Sequence, residues 1–331
     1  MIRHWLYKKL STGARTSRIL LYHRIADEII DTWDLAVRPD VFERHLKWLK
    51  NNCHVISLNE LVHDWKRKKL KKNSIAITFD DGYLDNYTNA IPLLKKYGLP
   101  ATFFITDEHK SLWWDELEFY FLKSALLPPH FHIIINGEEL NFDLSGETIM
   151  TEALKKKISE WKGMDIPTTK RAELFVAVWK RLKFVDSTER QKALSAIKHW
   201  SAINPAFPEI MSQDQIAEIS ANSLFEIGAH TQTHSALSTL TEEVQKEEMT
   251  GNKNYLEKLT ANNIKFVSYP YGDYNALTLD LSEKIGFAAG FTTQAAPVGY
   301  SKRASQLGRY CVTNKNLFYI LQNEKTTGKT F

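Results

Sequence analysis

Short apolar, β-branched runs alternate with amphipathic stretches along most of this chain of 331 residues. The runs predict strands at residues 18–23, 55–57, 74–79, 101–106, 225–229, 264–269, 287–292 and 309–312. The stretches between them predict helices at 41–50 (with Asp40 as N-cap), 58–69, 84–97, 213–221, 241–260 and 276–285. Strands that alternate with helices predict an α/β fold whose parallel sheet is wrapped in helices.

The alternation stops between residues 107 and 210, where helical patterns and a hairpin signal at Asn136 and Gly137 take over. We predict a largely helical insertion at 107–210 within a domain made of 1–106 and 211–331. Without the insertion, roughly 230 residues remain, close to the about 250 of a typical α/β barrel. The insertion is rich in tryptophan, which fits either a core of its own or a sugar-stacking surface; the scatter of these residues favours a core.

The charge balance, 43 Lys+Arg against 39 Asp+Glu, gives no bulk signal for a nucleic-acid partner. Two cysteines, Cys53 and Cys311, do not make a disulfide framework. No run reaches the roughly 18 to 20 apolar residues of a membrane span, and charges interrupt the first residues before a signal-peptide core can build. We therefore expect a cytoplasmic protein.

Two stretches are locally basic: the first 26 residues, which contain no acidic residue, and residues 66–72. The simpler interpretation is a solvated helix end. The alternative is attraction to an anionic membrane, worth about 1 kcal/mol per basic residue near the surface.

Two adjacent carboxylates, Asp80 and Asp81, follow the predicted strand 74–79 directly. The carboxyl ends of parallel strands are where α/β folds build their sites. Asp81-Gly82 is also ordinary turn chemistry, and one aspartate can cap the next helix. Two carboxylates this close raise each other's pKa unless a cation lies between them, so the pair indicates a cation site.

Two histidines, His230 and His234, follow the strand 225–229. In a helical turn a spacing of four residues puts both imidazoles on one face, within reach of one ion. The spacing alone is weak, but with the paired acids it predicts a three-ligand site for Zn²⁺ or a similar ion, open to water and substrate. A third segment, residues 270–272 (Pro-Tyr-Gly), follows the strand 264–269 and in isolation is equally an ordinary turn.

Together the three segments resemble the NodB-type polysaccharide deacetylases of carbohydrate esterase family four. That family's pattern contains TFDDG, H-[ST]-x-x-H and a strand ending in P-Y-G in this order, matched here by residues 78–82, 230–234 and 270–272. The resemblance covers about 18–106 and 211–312. It implies a distorted (β/α) barrel with fewer than eight strands and metal-dependent hydrolysis of an N-acyl, less often O-acyl, group on a sugar.

The resemblance also implies residue roles. Asp80 would be the general base, and the backbone N–H of Tyr271 would help hold the oxyanion. The metal ligands would be Asp81, His230 and His234, with Zn²⁺ the first choice and Co²⁺ or Ni²⁺ as alternatives. These roles make chemical sense, since a metal activates water, a free carboxylate removes its proton and N–H donors stabilise the oxyanion.

The chain departs from the commonest family pattern at two places. No histidine follows His234, where that pattern supplies the acid that protonates the leaving amine. His23, at the end of the first strand, is our candidate acid, as in the similar, circularly permuted subgroup that includes poly-N-acetylglucosamine deacetylases; a structural histidine is the alternative. Ser268 stands where many relatives have an arginine that orients the base, and Arg309 is the candidate replacement, against a surface ion pair.

We therefore predict a metal-dependent hydrolase that deacetylates an N-acetylated amino sugar in a surface polysaccharide or glycolipid. A lipid- or nucleotide-linked sugar at the inner face of the membrane would suit the expected location. Because the insertion follows the strand 101–106, we predict that it caps the site. The alternatives are a deformylase or other acyl-amide hydrolase acting on a sugar, and a catalytically inactive carbohydrate-binding protein.

Overall fold

A computed structural model of the chain describes residues 17–107, 111–203, 207–300 and 302–322. The chain divides into two compact units. The first consists of Met1–Asp27, Leu35–Asp107 and Ile210–Phe331, and the second of Glu28–Asp34 and Glu108–Glu209. The second unit therefore includes a short segment, Glu28–Asp34, that the predicted domain bounds assign to the barrel.

The first unit is built on a parallel sheet. Its strands, numbered along the whole chain, are β1 (Arg18–Tyr22), β2 (His54–Val55), β3 (Ser74–Phe79), β4 (Ala101–Ile105), β7 (Phe225–Ala229), β8 (Phe266–Ser268), β9 (Ala289–Phe291) and β10 (Tyr310–Cys311). Their hydrogen-bonded order is β10-β1-β3-β4-β7-β8-β9, and β2 pairs with β3 off this path. A parallel bridge from Phe291 to Leu307, just before β10, brings the two edges of the sheet to the segment 307–311. The sheet is thus a distorted barrel whose path has fewer than eight strands, which confirms the predicted fold class.

Six α-helices in the described part of this unit lie between the strands as predicted, with some different boundaries, and a seventh, which was not predicted, follows β10. They are α1 (Pro39–Asn52), α2 (Leu58–Lys66), α3 (Ile91–Tyr97), α8 (Gln213–Ser220), α9 (Glu242–Thr260), α10 (Ala276–Lys284) and α11 (Leu317–Gln322). The prediction of Asp40 as N-cap is wrong: Arg38 occupies the cap position because Pro39 begins α1. Lys68 is left-handed (φ 56°), and α2 ends before it. Asn86–Ala90, predicted as α-helix, forms a π-helical turn before α3.

Strands β1, β3 and β4 are buried at every position, which explains their continuous apolar runs. Tyr22, Phe79 and Phe103 occupy paired positions on these neighbouring strands. Their rings stack, with centroids 5.5 Å apart for Tyr22 and Phe79 and 4.9 Å apart for Phe79 and Phe103. This aromatic row fixes the strand ends from which Asp80 and His23 follow.

The second unit combines a hairpin with four α-helices among its described residues. The hairpin pairs β5 (His130–Ile135) with β6 (Glu138–Asp143), and the helices are α4 (Trp113–Glu118), α5 (Glu152–Glu160), α6 (Lys170–Leu182) and α7 (Ser187–Ser201). Asn136 and Gly137 both have positive φ, as a two-residue hairpin turn requires, which confirms the hairpin prediction. Trp113, Trp114 and Trp161 are buried, which supports the core interpretation.

None of the helices in the described part of the chain combines the length and apolar character of a membrane span.

Candidate active site

Asp80 lies at the carboxyl end of β3 and is held by a buried arginine that directly precedes the edge strand β10. Arg309 Nη1 and Nη2 donate to Asp80 Oδ1 and Oδ2 at 2.7 and 2.6 Å. Arg309 is fully buried, and its Nη1 also donates to Thr78 Oγ1 at 3.2 Å. Asp80 and Thr78 are two residues apart in an extended chain and therefore face the same side, which lets one guanidinium bind both. Arg309 therefore forms a buried salt bridge with Asp80 rather than a surface ion pair.

Ser268 completes this arrangement from the end of β8. Its hydroxyl donates to Asp80 Oδ2 at 3.0 Å and accepts from Arg309 Nη2 at 2.6 Å. Burial works to raise the pKa of Asp80, but the charge and hydrogen bonds of Arg309 act against it, and the pKa is lowered from its ordinary 3.8. The carboxylate is therefore ionised at neutral pH and fixed in orientation.

The second carboxylate, Asp81, faces two imidazoles. Its Oδ1 lies 3.3 Å from Nε2 of both His230 and His234, and all three residues are buried. His230 Nδ1 is 2.8 Å from the Ser268 carbonyl oxygen, to which it donates, so that Nε2 keeps its lone pair for a ligand. Burial works to raise the pKa of Asp81, but the two neighbouring imidazoles have the larger effect. The pKa is lowered, and the carboxylate stays ionised.

These three residues form a cluster that fits a divalent metal ion. Their ligand atoms lie within 4.8 Å of one another. Asp81 Oδ1 is buried and accepts no hydrogen bond within the described residues. Ligand atoms held about 2.0–2.1 Å from a tetrahedral Zn²⁺ lie about 3.3 Å apart, which is the distance from Asp81 Oδ1 to each histidine Nε2. Two nitrogens with one carboxylate oxygen are a usual zinc set.

The convergence of the two histidines has a different cause from the helical turn that their spacing suggested. Residues 230–235 form a loop in which Thr231 and His234 are left-handed, with φ of 63° and 49°. The imidazole centroids of His230 and His234 are 4.8 Å apart, with the rings at 74°. The spacing predicted that His230 and His234 lie together, which they do, but the helical turn from which this was predicted is absent from the described loop.

His23 follows β1 and shares the electrostatic environment of the site. Burial lowers its pKa from 6.5, while the nearby Asp81 and Asp80 carboxylates act in the opposite direction. Its Nδ1 is buried and has no hydrogen-bond partner among the described residues. Its carbonyl accepts from Asn86 Nδ2 at 2.8 Å. His23 therefore lies within electrostatic range of the two carboxylates and has a ring nitrogen available.

Tyr271 lies beside the second histidine. Its ring packs edge-on against His234, with centroids 4.5 Å apart. Its backbone is left-handed, with φ of 59°, inside the turn Pro270–Gly272. The buried Asn252 and Glu248 of α9, which bond to the histidine loop, were not predicted from the sequence. A polar residue between Met249 and Leu256 on a buried helix face was the signal available.

The chain is similar in sequence to known polysaccharide deacetylases. The family model "Polysaccharide deacetylase" matches residues 67–120 and 183–290. YxkH of Bacillus subtilis (strain 168), which is named as a polysaccharide deacetylase, is 25% identical over 281 residues, covering 83% of this chain and 64% of YxkH. A poly-beta-1,6-N-acetyl-D-glucosamine N-deacetylase of Staphylococcus aureus (strain MSSA476) is 33% identical over 115 residues, covering 31% of this chain and 40% of that protein. The matches thus span less than two thirds of these relatives.

Among solved structures, the Streptococcus pyogenes deacetylase PplD has a similar fold, with a TM-score of 0.54 and 19% identity over 94% of this chain and 100% of that one. The chain thus contains a region, just under half of its length, that matches the polysaccharide deacetylase family model, and its relatives of similar sequence are polysaccharide deacetylases.

Proposed function

We propose that this protein is a metal-dependent N-deacetylase of an N-acetylated amino sugar, and that poly-β-1,6-N-acetylglucosamine is the first substrate class to test. The observation that carries the proposal is that the two adjacent carboxylates have different partners. Asp81 faces two histidines, whereas Asp80 is turned to Arg309 and Ser268. One carboxylate is available to hold a metal, and its neighbour is oriented as a base.

The reaction adds water to the acetamide carbonyl and releases acetate and an amine. Asp81, His230 and His234 would hold the ion, which when bound polarises the carbonyl and lowers the pKa of the attacking water. Asp80, ionised and fixed, accepts the proton of that water. The Tyr271 backbone N–H donates to the oxyanion that forms on the former carbonyl.

His23 supplies the remaining step, in which the C–N bond breaks and the amine nitrogen takes a proton. Because burial lowers the pKa of His23, its protonated form gives up a proton readily. Breakage without this proton would expel an amide anion, a far poorer leaving group.

The role of 107–210 as a cap stays a prediction.

Acetate release from N-acetylglucosamine oligomers by Asp80→Asn and Asp81→Asn variants tests the proposal. We expect Asp80→Asn to keep Zn²⁺ binding and lose about 10²–10⁴-fold in kcat, and Asp81→Asn to lose both metal affinity and activity. Full activity of Asp80→Asn would refute the mechanism. Faster release of formate than acetate from matched substrates would instead favour the deformylase.

A further inference from the structure

One face of helix α9 lies behind the loop that carries His230 and His234. Glu248, Gly251 and Asn252 are three and four residues apart and therefore share that face. We propose that these three residues, which we call the loop cradle, hold residues 230–234 in the ligand-bearing conformation before any metal binds. The proposal rests on the proposed function in that it takes the two histidines as metal ligands.

Asn252 fixes the start of the loop. It is fully buried, and its Oδ1 accepts from the His230 N–H at 2.8 Å. Its Nδ2 donates to the Ile105 carbonyl at 3.1 Å and to Asp107 Oδ1. The same Ile105 carbonyl accepts from His230 N at 3.1 Å. Asn252 thus ties His230 to the end of β4 through both ends of its amide, which neither aspartate nor leucine reproduces.

Glu248 fixes the middle of the loop. Its Oε2 accepts from the Thr233 N–H at 2.9 Å, and its Oε1 accepts from Thr233 Oγ1 at 2.5 Å. Both bonds are made by a residue that lies between the two histidines and that is not itself a candidate ligand. Glu248 is almost fully buried, so these bonds are protected from competing water.

Gly251 makes room for the loop. A Cβ at this position would lie 2.4 Å from the side-chain carbon Cδ of Gln232. Glycine weakens a helix interior relative to alanine. Its place inside the 19-residue α9 leaves room for the end of the Gln232 side chain, which extends from the histidine loop.

The loop needs such support because its backbone is unfavourable. Thr231 and His234 are both left-handed, a region that residues with a Cβ rarely adopt and that persists only when the surroundings enforce it. The cradle provides contacts at residues 230, 232 and 233, and so brackets Thr231 and ends next to His234. Without them the loop would relax, and the two imidazoles would separate.

The test compares Asn252→Ala and Glu248→Ala with matched controls on the same helix. Asn254→Ala and Glu247→Ala change the same residue types at exposed positions. Hydrogen exchange of amides 230–235 is measured in the metal-free full chain. We expect these amides to exchange at least tenfold faster in the cradle variants than in the wild type. The controls should exchange at the wild-type rate. Gly251→Ala should speed exchange at 231–233, and adding Gln232→Ala should restore protection without touching any cradle hydrogen bond.

Zn²⁺ affinity, measured by competition with a chelator, is the second readout. We expect about 10–100-fold weaker binding in the two cradle variants. Exchange and affinity within twofold of wild type in both variants would overturn the proposal. A wild-type chain that binds no Zn²⁺ would refute the metal site and the proposed function instead, and the exchange data would still decide whether the cradle holds the loop.

Discussion

Burial of a carboxylate is costly, and Asp80 is 2% exposed. The bidentate Arg309 and the Ser268 hydroxyl compensate this burial and also set the direction of the Asp80 lone pairs. Arg309 and Asp80 are therefore one unit for stability and for activity. Removing either partner alone leaves the other charge buried and unpaired.

We predict that Arg309→Met lowers the free energy of unfolding by about 3–5 kcal/mol. Arg309→Lys should cost less, because the charge remains while the second hydrogen bond is lost. Urea unfolding measures both. The control is Arg309→Met in the Asp80→Asn background, where the cost should shrink because no buried carboxylate is stranded. An equal cost in both backgrounds would show that Arg309 does not act through Asp80.

His23 is predicted to matter only when the leaving group needs a proton. His23→Ala should lower the hydrolysis of an N-acetylated sugar by about 10²–10⁴-fold. The same variant should hydrolyse an aryl acetate at nearly the wild-type rate, because a phenolate leaves without protonation. Steady-state kinetics on both substrates measure this contrast.

The exposed His199 supplies the control, as His199→Ala should change neither rate. Equal losses on the amide and the aryl ester would contradict the acid role of His23 and favour a structural one.

Sequence position identified the site residues that follow strands, because the carboxyl ends of parallel strands converge whatever the loops do. Asp80, Asp81 and His230 were found in this way. The left-handed φ of Thr231 and His234 was not predictable, since it depends on tertiary contacts of the loop with side chains of the following helix, α9. From the sequence, Ser268 stood out only because many relatives have an arginine at this position. Its hydrogen bond to Asp80 depends on the curvature of the sheet.

At the scale of elements, boundaries were predictable where local chemistry decides them. The continuous runs of β1, β3 and β4 match buried strands. Asp40 was predicted as the N-cap of α1 because aspartate is a common capping residue. The helix instead begins at Pro39, which favours the first helical position. The π-helical turn Asn86–Ala90 has tertiary causes: Asn86 and Asn89 donate to the carbonyls of His23 and Ile25.

The second unit depends on a buried arginine in α6. Arg171 is fully buried and donates to the carbonyls of Ser124, Glu147 and Thr148 at 2.6 to 2.7 Å. We predict that Arg171→Met destabilises this unit by about 3–5 kcal/mol, because several buried carbonyls lose their donor. Hydrogen exchange of residues 111–203 measures the effect.

Lys180→Met, at an exposed position of the same helix, is the control. Unchanged protection in Arg171→Met would show that these carbonyls find other donors.

At the scale of the whole molecule, contact of the basic stretches with a membrane stays a prediction. Residues 66–72 precede β3, whereas Asp80 follows it, so the stretch and the site lie at opposite ends of the sheet. In the first 26 residues Arg18 is buried and Arg24 pairs with Asp85 at 2.9 Å, while Arg3, Lys8, Lys9 and Arg15 lie outside the described residues. An anionic surface bound at 66–72 would face away from the site.

We therefore predict that replacing the exposed Lys68, Lys69 and Lys72 by serine leaves deacetylation of a soluble oligosaccharide unchanged. Binding to vesicles with anionic lipids, measured by co-sedimentation, should fall if this stretch contacts membranes. A loss of kcat on the soluble substrate would contradict the separation of the stretch from the site.

The central claim is that Asp81, His230 and His234 hold one catalytic metal ion beside Asp80. Its most direct test is acetate release by chelator-treated protein as Zn²⁺ or Co²⁺ is added back. The claim predicts that activity returns in proportion to bound metal, saturates at about one equivalent, and does not return in His230→Ala. Full activity of the chelated protein, or equal recovery in His230→Ala, would contradict it.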